Sequence, residues 1–372
     1  MKILAHKVLY RNERFYAAFP NVVLGAEGSL LLAFRRAPDH RWMLGELADE
    51  DFDSVDHWHF RSHIAAIWLN DQLAPIGDVF NLPSHPEAAD QDANLFVTNT
   101  GRIIQYGFLW YPVTSQSMDR IEEEGLSVDR RVGEGYLYFG GYTRFSDDGG
   151  KSWSDHLMIP TDEHTSESPY QASCNSSAFR GRMIECADGS LLMAGYAGRL
   201  VGYDKSMVRL YRSCDGGSNW QVAPEVVSMP NVALQEPALA RWPQGKVTIF
   251  NRTTGNDDRL VIATAGECGE NFEKPCTVDI QGHPYDPLVL PDGRLFLVYG
   301  YRHEPMGVRA RLVGPGQSID TAEEFIIRAD SPSADTGYPS AVYLGDGRIL
   351  IAYYITDGKG IRGIEGTVVT ID

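Results

Sequence analysis

The chain has 372 residues, a formal net charge of −17 and 43% hydrophobic residues, enough to bury the core of a large globular fold. The acidic balance excludes a nucleic-acid partner, because phosphate binding needs a basic surface; an anionic substrate would require its own cluster of arginines. No stretch approaches the roughly 20 apolar residues of a membrane helix, so no membrane partner is expected.

The opening residues, MKILAHKVLYRNERFY, have no long apolar core before their charges, and no signal peptide is read there. The expected location is cytoplasmic, or secreted if a leader has been removed. Short apolar strands are predicted at residues 3–9 and 366–371, and pairing the two would protect both edges. Between them one pattern recurs: an apolar strand, a turn ending in Gly, a second apolar strand. The copies are VVLGAEGSLLLAF, LFVTNTGRIIQYG, MIECADGSLLMAG, ALARWPQGKVTIF, LVLPDGRLFLVYG and AVYLGDGRILIAYY, with turn glycines Gly28, Gly101, Gly189, Gly245, Gly293 and Gly347. Asp-Gly and its relatives between strands are the strongest short hairpin signal, because Gly tolerates positive φ. The turns are 73, 88, 56, 48 and 54 residues apart. The shorter intervals fit one four-stranded propeller blade, and the longer two fit a blade carrying an insertion. The expected fold is all-β, a six-bladed β-propeller formed by residues 1–372 as one domain; a β-sandwich has no need of six copies of one hairpin.

A second motif lies in the outer turns. Ser146-x-Asp148-x-Gly150-x-x-Trp153 and Ser213-x-Asp215-x-Gly217-x-x-Trp220 are full copies, and Ala265-x-Glu267-x-Gly269-x-x-Phe272 is degenerate. Asp binds backbone amides, Gly takes the left-handed angle, and Trp packs beneath the blade. Both Trp are expected to be buried away from the site.

In a propeller the inner strands run along the central channel, so positions at fixed distances from the turn glycines share one end. Nine residues before each turn Gly stand Phe19, Asp92, Arg180, Glu236, Pro284 and Tyr338. Seven after stand Arg35, Phe108, Tyr196, Arg252, Gly300 and Tyr354, with Arg302 two further on. Asp92, Glu236, Tyr338, Arg35, Arg252 and Arg302 are therefore expected to converge in one funnel, Glu236 and Tyr338 each opening an inner strand.

These segments resemble the sialidase superfamily of Asp-box propellers. The two Ser-x-Asp-x-Gly-x-x-Trp turns resemble the Asp-box. Gln235-Glu236-Pro237-Ala238-Leu239 followed by Arg252 resembles the family's Glu-to-Arg segment, and Gly337-Tyr338-Pro339-Ser340 its Tyr segment in the last blade. The resemblance implies Tyr338 as nucleophile, Glu236 as its base, and Arg252 and Arg302 in a carboxylate clamp, with Arg309 competing for the place of Arg302. It implies Asp92 as a substrate-binding group and an Asp of an early loop as acid/base. The loop of residues 39–63 supplies two candidates for that acid, Asp39 and Asp56. One departure stands out: sialidases carry Arg-Ile-Pro at the start of the first blade, and here the stretch reads Ala18-Phe19-Pro20. Arg35, Arg36 or Arg14 would have to replace that arginine.

The expected function is that of a sialidase-like exo-glycosidase, removing a terminal acidic sugar with retention of configuration. A neutral Tyr, with an ordinary pKa of about 10, needs an adjacent base to attack. The alternatives are a hydrolase or lyase for another terminal sugar (rhamnose, arabinose or a uronic acid) and a non-catalytic glycan-binding propeller. The partner is a carbohydrate; no cofactor and no metal are expected. Asp53, His57, His59 and His63 match no metal-ligand spacing, and the five cysteines, lacking CxxC spacing, read as free thiols.

Overall fold

The computed structural model describes residues 1–25, 28–39, 59–125, 128–130, 134–159, 177–197 and 205–371. Six sheets form a β-propeller. Strand β1 (Lys2–Tyr10) is the outermost strand of the sixth blade. Blade one holds β2 (Phe15–Leu24), β3 (Leu30–Pro38), β4 (His63–Leu69) and β5 (Pro75–Asn81). Blade two holds β6 (Ala89–Val97), β7 (Ile103–Thr114), β9 (Glu134–Ser146) and β10 (Leu157–Met158), with the short β8 (Asp129–Arg130) against β9. Blade three holds β11 (Ile184–Glu185), β12 (Leu191–Ala197), β13 (Met207–Ser213) and β14 (Gln221–Val227). Blade four holds β15 (Ala233–Arg241), β16 (Lys246–Thr254), β17 (Arg259–Glu267) and β18 (Cys276–Gln281). Blade five holds β19 (Tyr285–Val289), β20 (Leu295–Tyr301), β21 (Gly307–Val313) and β22 (Glu324–Arg328). Blade six holds β23 (Gly337–Gly345), β24 (Arg348–Thr356) and β25 (Arg362–Thr370) before β1.

Each Gly-turn hairpin is the inner pair of a blade, and every inner pair is antiparallel. The long interval between Gly101 and Gly189 accommodates extended β7 and β9, with helix α1 (Ser115–Glu123) inserted between them. Only Met118 of that helix is buried. The core lies between adjacent blades. Leu32 and Phe34 of β3 pack with Leu350, Ala352 and Tyr354 of β24, and Leu192 and Leu210 of blade three pack with Val247 and Ile249 of blade four. Burying each such aliphatic or Phe side chain contributes about 1.5–3 kcal/mol. β1 pairs antiparallel with β25, Lys2 opposite Thr370 and Val8 opposite Glu365, so the expected closure holds.

The Ser-x-Asp turns lie at the Gly-turn end, since Ser146 pairs with Ile103 and Ser213 with Leu191. In the first, the Gly150 amide donates to Ser146 Oγ at 2.8 Å, and the Lys151 and Ser152 amides donate to Asp148 Oδ1 at 3.0 and 2.9 Å. Ser213 and Asp215 repeat the arrangement with Gly217, Ser218 and Asn219. Trp220 is buried as expected, its indole N–H donating to Thr143; Trp153 is only half-buried.

Candidate active site

The inner strands of four blades carry the same backbone irregularity. Phe19, Asp92, Glu236 and Tyr338 have φ of 54, 45, 46 and 46°, in the left-handed region that non-glycine residues rarely adopt. Each lies where the pairing skips a residue: between Ala18 and Asn21, Gln91 and Asn94, Gln235 and Ala238, and Gly337 and Ser340. A bulge re-aims a side chain that the pleat would otherwise send into the blade–blade interface. The conformation costs about 1–2 kcal/mol at each residue, and it recurs at four of the six positions nine residues before a turn Gly. Glu236 therefore sits within β15, not at its opening as expected from sequence, and Asp92 sits within β6; Tyr338 is the second residue of β23. Close approach of blades five and six is also required here. A Cβ on Gly300 would come within 3.3 Å of Gly337 Cα, and one on Gly337 within 2.8 Å of Gly300 Cα.

The bulges bring Tyr338 and Glu236 together. The Tyr338 hydroxyl donates to Glu236 Oε1 at 2.5 Å. Arg252 Nη1 donates to Glu236 Oε2 at 2.9 Å and to the Tyr338 oxygen at 3.0 Å. Burial pushes the Glu236 carboxyl up, but Arg252, the Tyr338 hydroxyl and Arg180 more than offset it and hold it below its ordinary range. Burial and the Glu236 charge hold the Tyr338 hydroxyl above its ordinary value, against the opposing pull of Arg252 and Arg302. The pair thus rests as carboxylate and phenol, with the proton on an oxygen that can pass it across one hydrogen bond.

Arg302 approaches Tyr338 as well: its guanidinium carbon lies 5.4 Å from the ring centre. Its Nη2 donates to the Tyr354 hydroxyl at 3.2 Å, and that hydroxyl donates to Asp335 at 2.6 Å. Arg252 and Arg302 therefore converge on one side chain. Arg309 takes no part in this cluster, because it turns to blade five's outer strands, donating to the carbonyls of Pro305 and Arg328 and facing Glu324 at 3.8 Å.

At the position of the missing first arginine, Ala18 lies directly opposite Arg35. Cross-strand partners share a face, and the buried Arg35 guanidinium lies 5.7 Å from the Tyr16 ring centre. Its charge also acts on Asp92. Arg36 points away from the site, bound to Tyr10, His63 and Asn81, and Arg14 is exposed. Phe19, next to Ala18, packs edge-on against Tyr338 with ring centres 4.7 Å apart.

Asp92 is buried in the same cluster. Burial, with a smaller push from Glu236, raises its carboxyl from 3.8 to about 7, although Arg180, Arg35 and Arg252 oppose the rise. Asp39 lies just beyond β3, buried, with its amide donating to the Arg14 carbonyl at 2.8 Å. Asp56, like Asp53 and His57, falls outside the described residues.

Two residues of the site were not singled out from sequence. Arg180 lies under Tyr338, its guanidinium carbon 5.0 Å from the ring centre, and donates to the carbonyls of Tyr338 and Pro20. It occupies the same nine-before position as Asp92, Glu236 and Tyr338, which was the available signal. His283 precedes Pro284 of that series and is buried. Burial, then the charges of Arg252 and Arg302, lower it to about 4, while Asp258 at 3.0 Å opposes them.

No family profile matches the chain, and no curated protein matches it in sequence. Among solved structures it resembles NanB in complex with Optactamide (TM-score 0.65, 13% identity, 99% of this chain and 70% of that one). It also resembles the Trypanosoma rangeli sialidase bound to the inhibitor DANA (TM-score 0.61, 12% identity, 95% of this chain and 55% of that one). At those identities the likeness establishes the sialidase-type six-bladed fold. A protein of unknown function from Dyadobacter fermentans DSM 18053 is much more similar, at TM-score 0.89 and 32% identity over 100% of this chain and 99% of that one. The chain belongs to one family with that Dyadobacter fermentans protein, on the six-bladed propeller that sialidases share.

Proposed function

We propose that the protein is a sialidase-like exo-glycosidase that removes a terminal acidic sugar with retention. The observation that carries this reading is the triad of contacts in which Tyr338 donates to Glu236 and Arg252 touches both. In the first step the Tyr338 oxygen forms a bond to the anomeric carbon, the glycosidic C–O bond breaks, and the phenolic proton passes to Glu236. A carboxylic acid protonates the leaving oxygen; Asp39 and Asp56 are the candidates from the early loop. Asp92 competes with them, since a carboxyl that ionises near 7 still carries a proton at neutral pH. Water then attacks the anomeric carbon and gives its proton to the carboxylate that had protonated the leaving oxygen, while the bond between that carbon and the Tyr338 oxygen breaks and Glu236 returns the proton to Tyr338; two inversions give net retention. Arg252, Arg302 and Arg35 are proposed to hold the substrate carboxylate, the planar guanidinium fork being suited to it.

A second reading is a hydrolase or lyase for another terminal sugar on the same scaffold. Ala18 and the Phe19 ring beside Tyr338 favour it, because they put an apolar surface where sialidases carry the first clamp arginine. Chromogenic glycosides of sialic acid, rhamnose, arabinose and uronic acids separate the readings. Release from the sialoside alone supports the first and release from another glycoside the second. Absence of turnover on all of them, with retained glycan binding, would leave a binding module.

A further inference from the structure

At the opposite end of the propeller from Tyr338, two thiols from neighbouring blades meet. Cys186 and Asp188 lie in the inner-hairpin turn of blade three; Cys268 lies in the turn between β17 and β18 of blade four. Their ligand atoms are all within 4.8 Å of one another, and the Cys268 thiol is 3.9 Å from Asp188 Oδ1. The two turns are pressed together: a Cβ on Gly269 would come within 2.6 Å of Leu192.

The carboxylate and the thiols are held from outside the cluster. The Ser190 amide and hydroxyl donate to Asp188 Oδ1 at 2.9 and 2.7 Å. Arg212 donates to the Cys268 carbonyl at 2.7 Å and to Ser190 Oγ at 3.0 Å, and lies 4.0 Å from Asp188 Oδ2. Cys268 is itself in a left-handed conformation, φ 58°, which fixes its side-chain direction. Cys186 is buried while Asp188 is exposed, so the cluster has an apolar floor and an open mouth.

We propose that Cys186, Asp188 and Cys268 form a binding site for a thiophilic divalent cation of the zinc class, clamping blade three to blade four. Two sulfurs and one carboxylate select zinc or cadmium over magnesium or calcium, which prefer all-oxygen shells. Three ligands leave the fourth tetrahedral position to water at the open side. Two thiolates and a carboxylate around a dication leave one negative charge, and Arg212 supplies its complement. Outer partners that orient metal ligands in this way are a usual part of such sites. The site is remote from the funnel, so it is structural and independent of any glycosidase activity.

The test is titration of the full chain, reduced beforehand with a phosphine and freed of metal, with Cd²⁺ alone. The expected result is an ultraviolet thiolate-to-cadmium charge-transfer band that saturates at one equivalent and is displaced by Zn²⁺. The band is lost in Cys186→Ser and in Cys268→Ser, and binding weakens by about tenfold or more in Asp188→Asn. Cys214→Ser and Cys276→Ser, both exposed thiols, leave it unchanged. Zn²⁺ raises the thermal midpoint of the wild type and not of the two cluster variants. No band in the reduced protein, or a band that survives both cluster substitutions, overturns the proposal.

Discussion

Asp92→Asn gives the most direct measure of the electrostatics of the funnel. The side chain is buried, and its carboxyl is raised from 3.8 to about 7, mainly by burial. Between those two values the folded protein keeps a proton that the unfolded chain gives up. Stability from this group is therefore complete below about 3.8, falls as pH rises, and is lost once pH passes about 7. At 1.36 kcal/mol per pH unit the full change is up to about 4 kcal/mol. Asparagine keeps the shape and cannot ionise, so the variant should gain that amount relative to wild type between pH 4 and pH 8. Urea unfolding at a series of pH values reads the difference directly, and any constant offset reports packing alone. Adding Glu236→Gln should shrink the pH-dependent part, because the Glu236 charge is one of the causes that raise Asp92. A difference between Asp92→Asn and wild type that stays flat from pH 4 to pH 8 would refute the reasoning.

Three further outcomes are expected. Tyr338→Phe and Glu236→Gln should each lower turnover on the true substrate by orders of magnitude, and the double variant should be little worse than either, because paired groups lose function non-additively; near-normal kcat in Tyr338→Phe would remove the proposed mechanism. Arg302→Lys should raise KM for an acidic sugar glycoside at least about tenfold while leaving a neutral glycoside unaffected, through loss of the bidentate fork; equal effects on both would argue against a carboxylate clamp. Deleting residues 2–10 should expose the outer edge of β25 and produce soluble aggregates or dimers, detectable by light scattering; a monomer of unchanged stability would contradict the closure.

The architecture was legible because each blade announces itself with a glycine that only a tight turn requires, and six such turns needed no knowledge of the intervening loops. Counting outward from them also placed Glu236, Tyr338, Arg252 and Arg302 at one end, since position along a strand sets height in the channel. The left-handed bulges were not legible. Nothing in Phe19, Asp92, Glu236 or Tyr338 as residue types asks for positive φ, which is imposed by packing around the channel. Arg180 carries no mark in the sequence either: a lone arginine in the series is indistinguishable from a solvated strand end, whereas the neighbouring blades bury it under Tyr338. The choice between Arg302 and Arg309 depended on side-chain direction across β20 and β21, which spacing alone does not give. Helix α1 carries too few buried apolar residues to show a periodic stripe.

The pairing of β1 with β25 also orders events in time. The proposed nucleophile lies on β23, in the one blade assembled from segments more than 300 residues apart in sequence. During synthesis β1 emerges first and has no partner until residues 362–370 follow. Closing so long a loop is slow relative to forming the local hairpins of the other five blades. Glu236 and Arg252 share one local hairpin and can pair early, whereas Tyr338 follows Glu236 by 102 residues and joins them only once blade six is made. The Tyr338–Glu236 contact therefore reports that blades four to six have packed, and the β1–β25 pairing reports closure of the ring, whichever sugar the funnel receives.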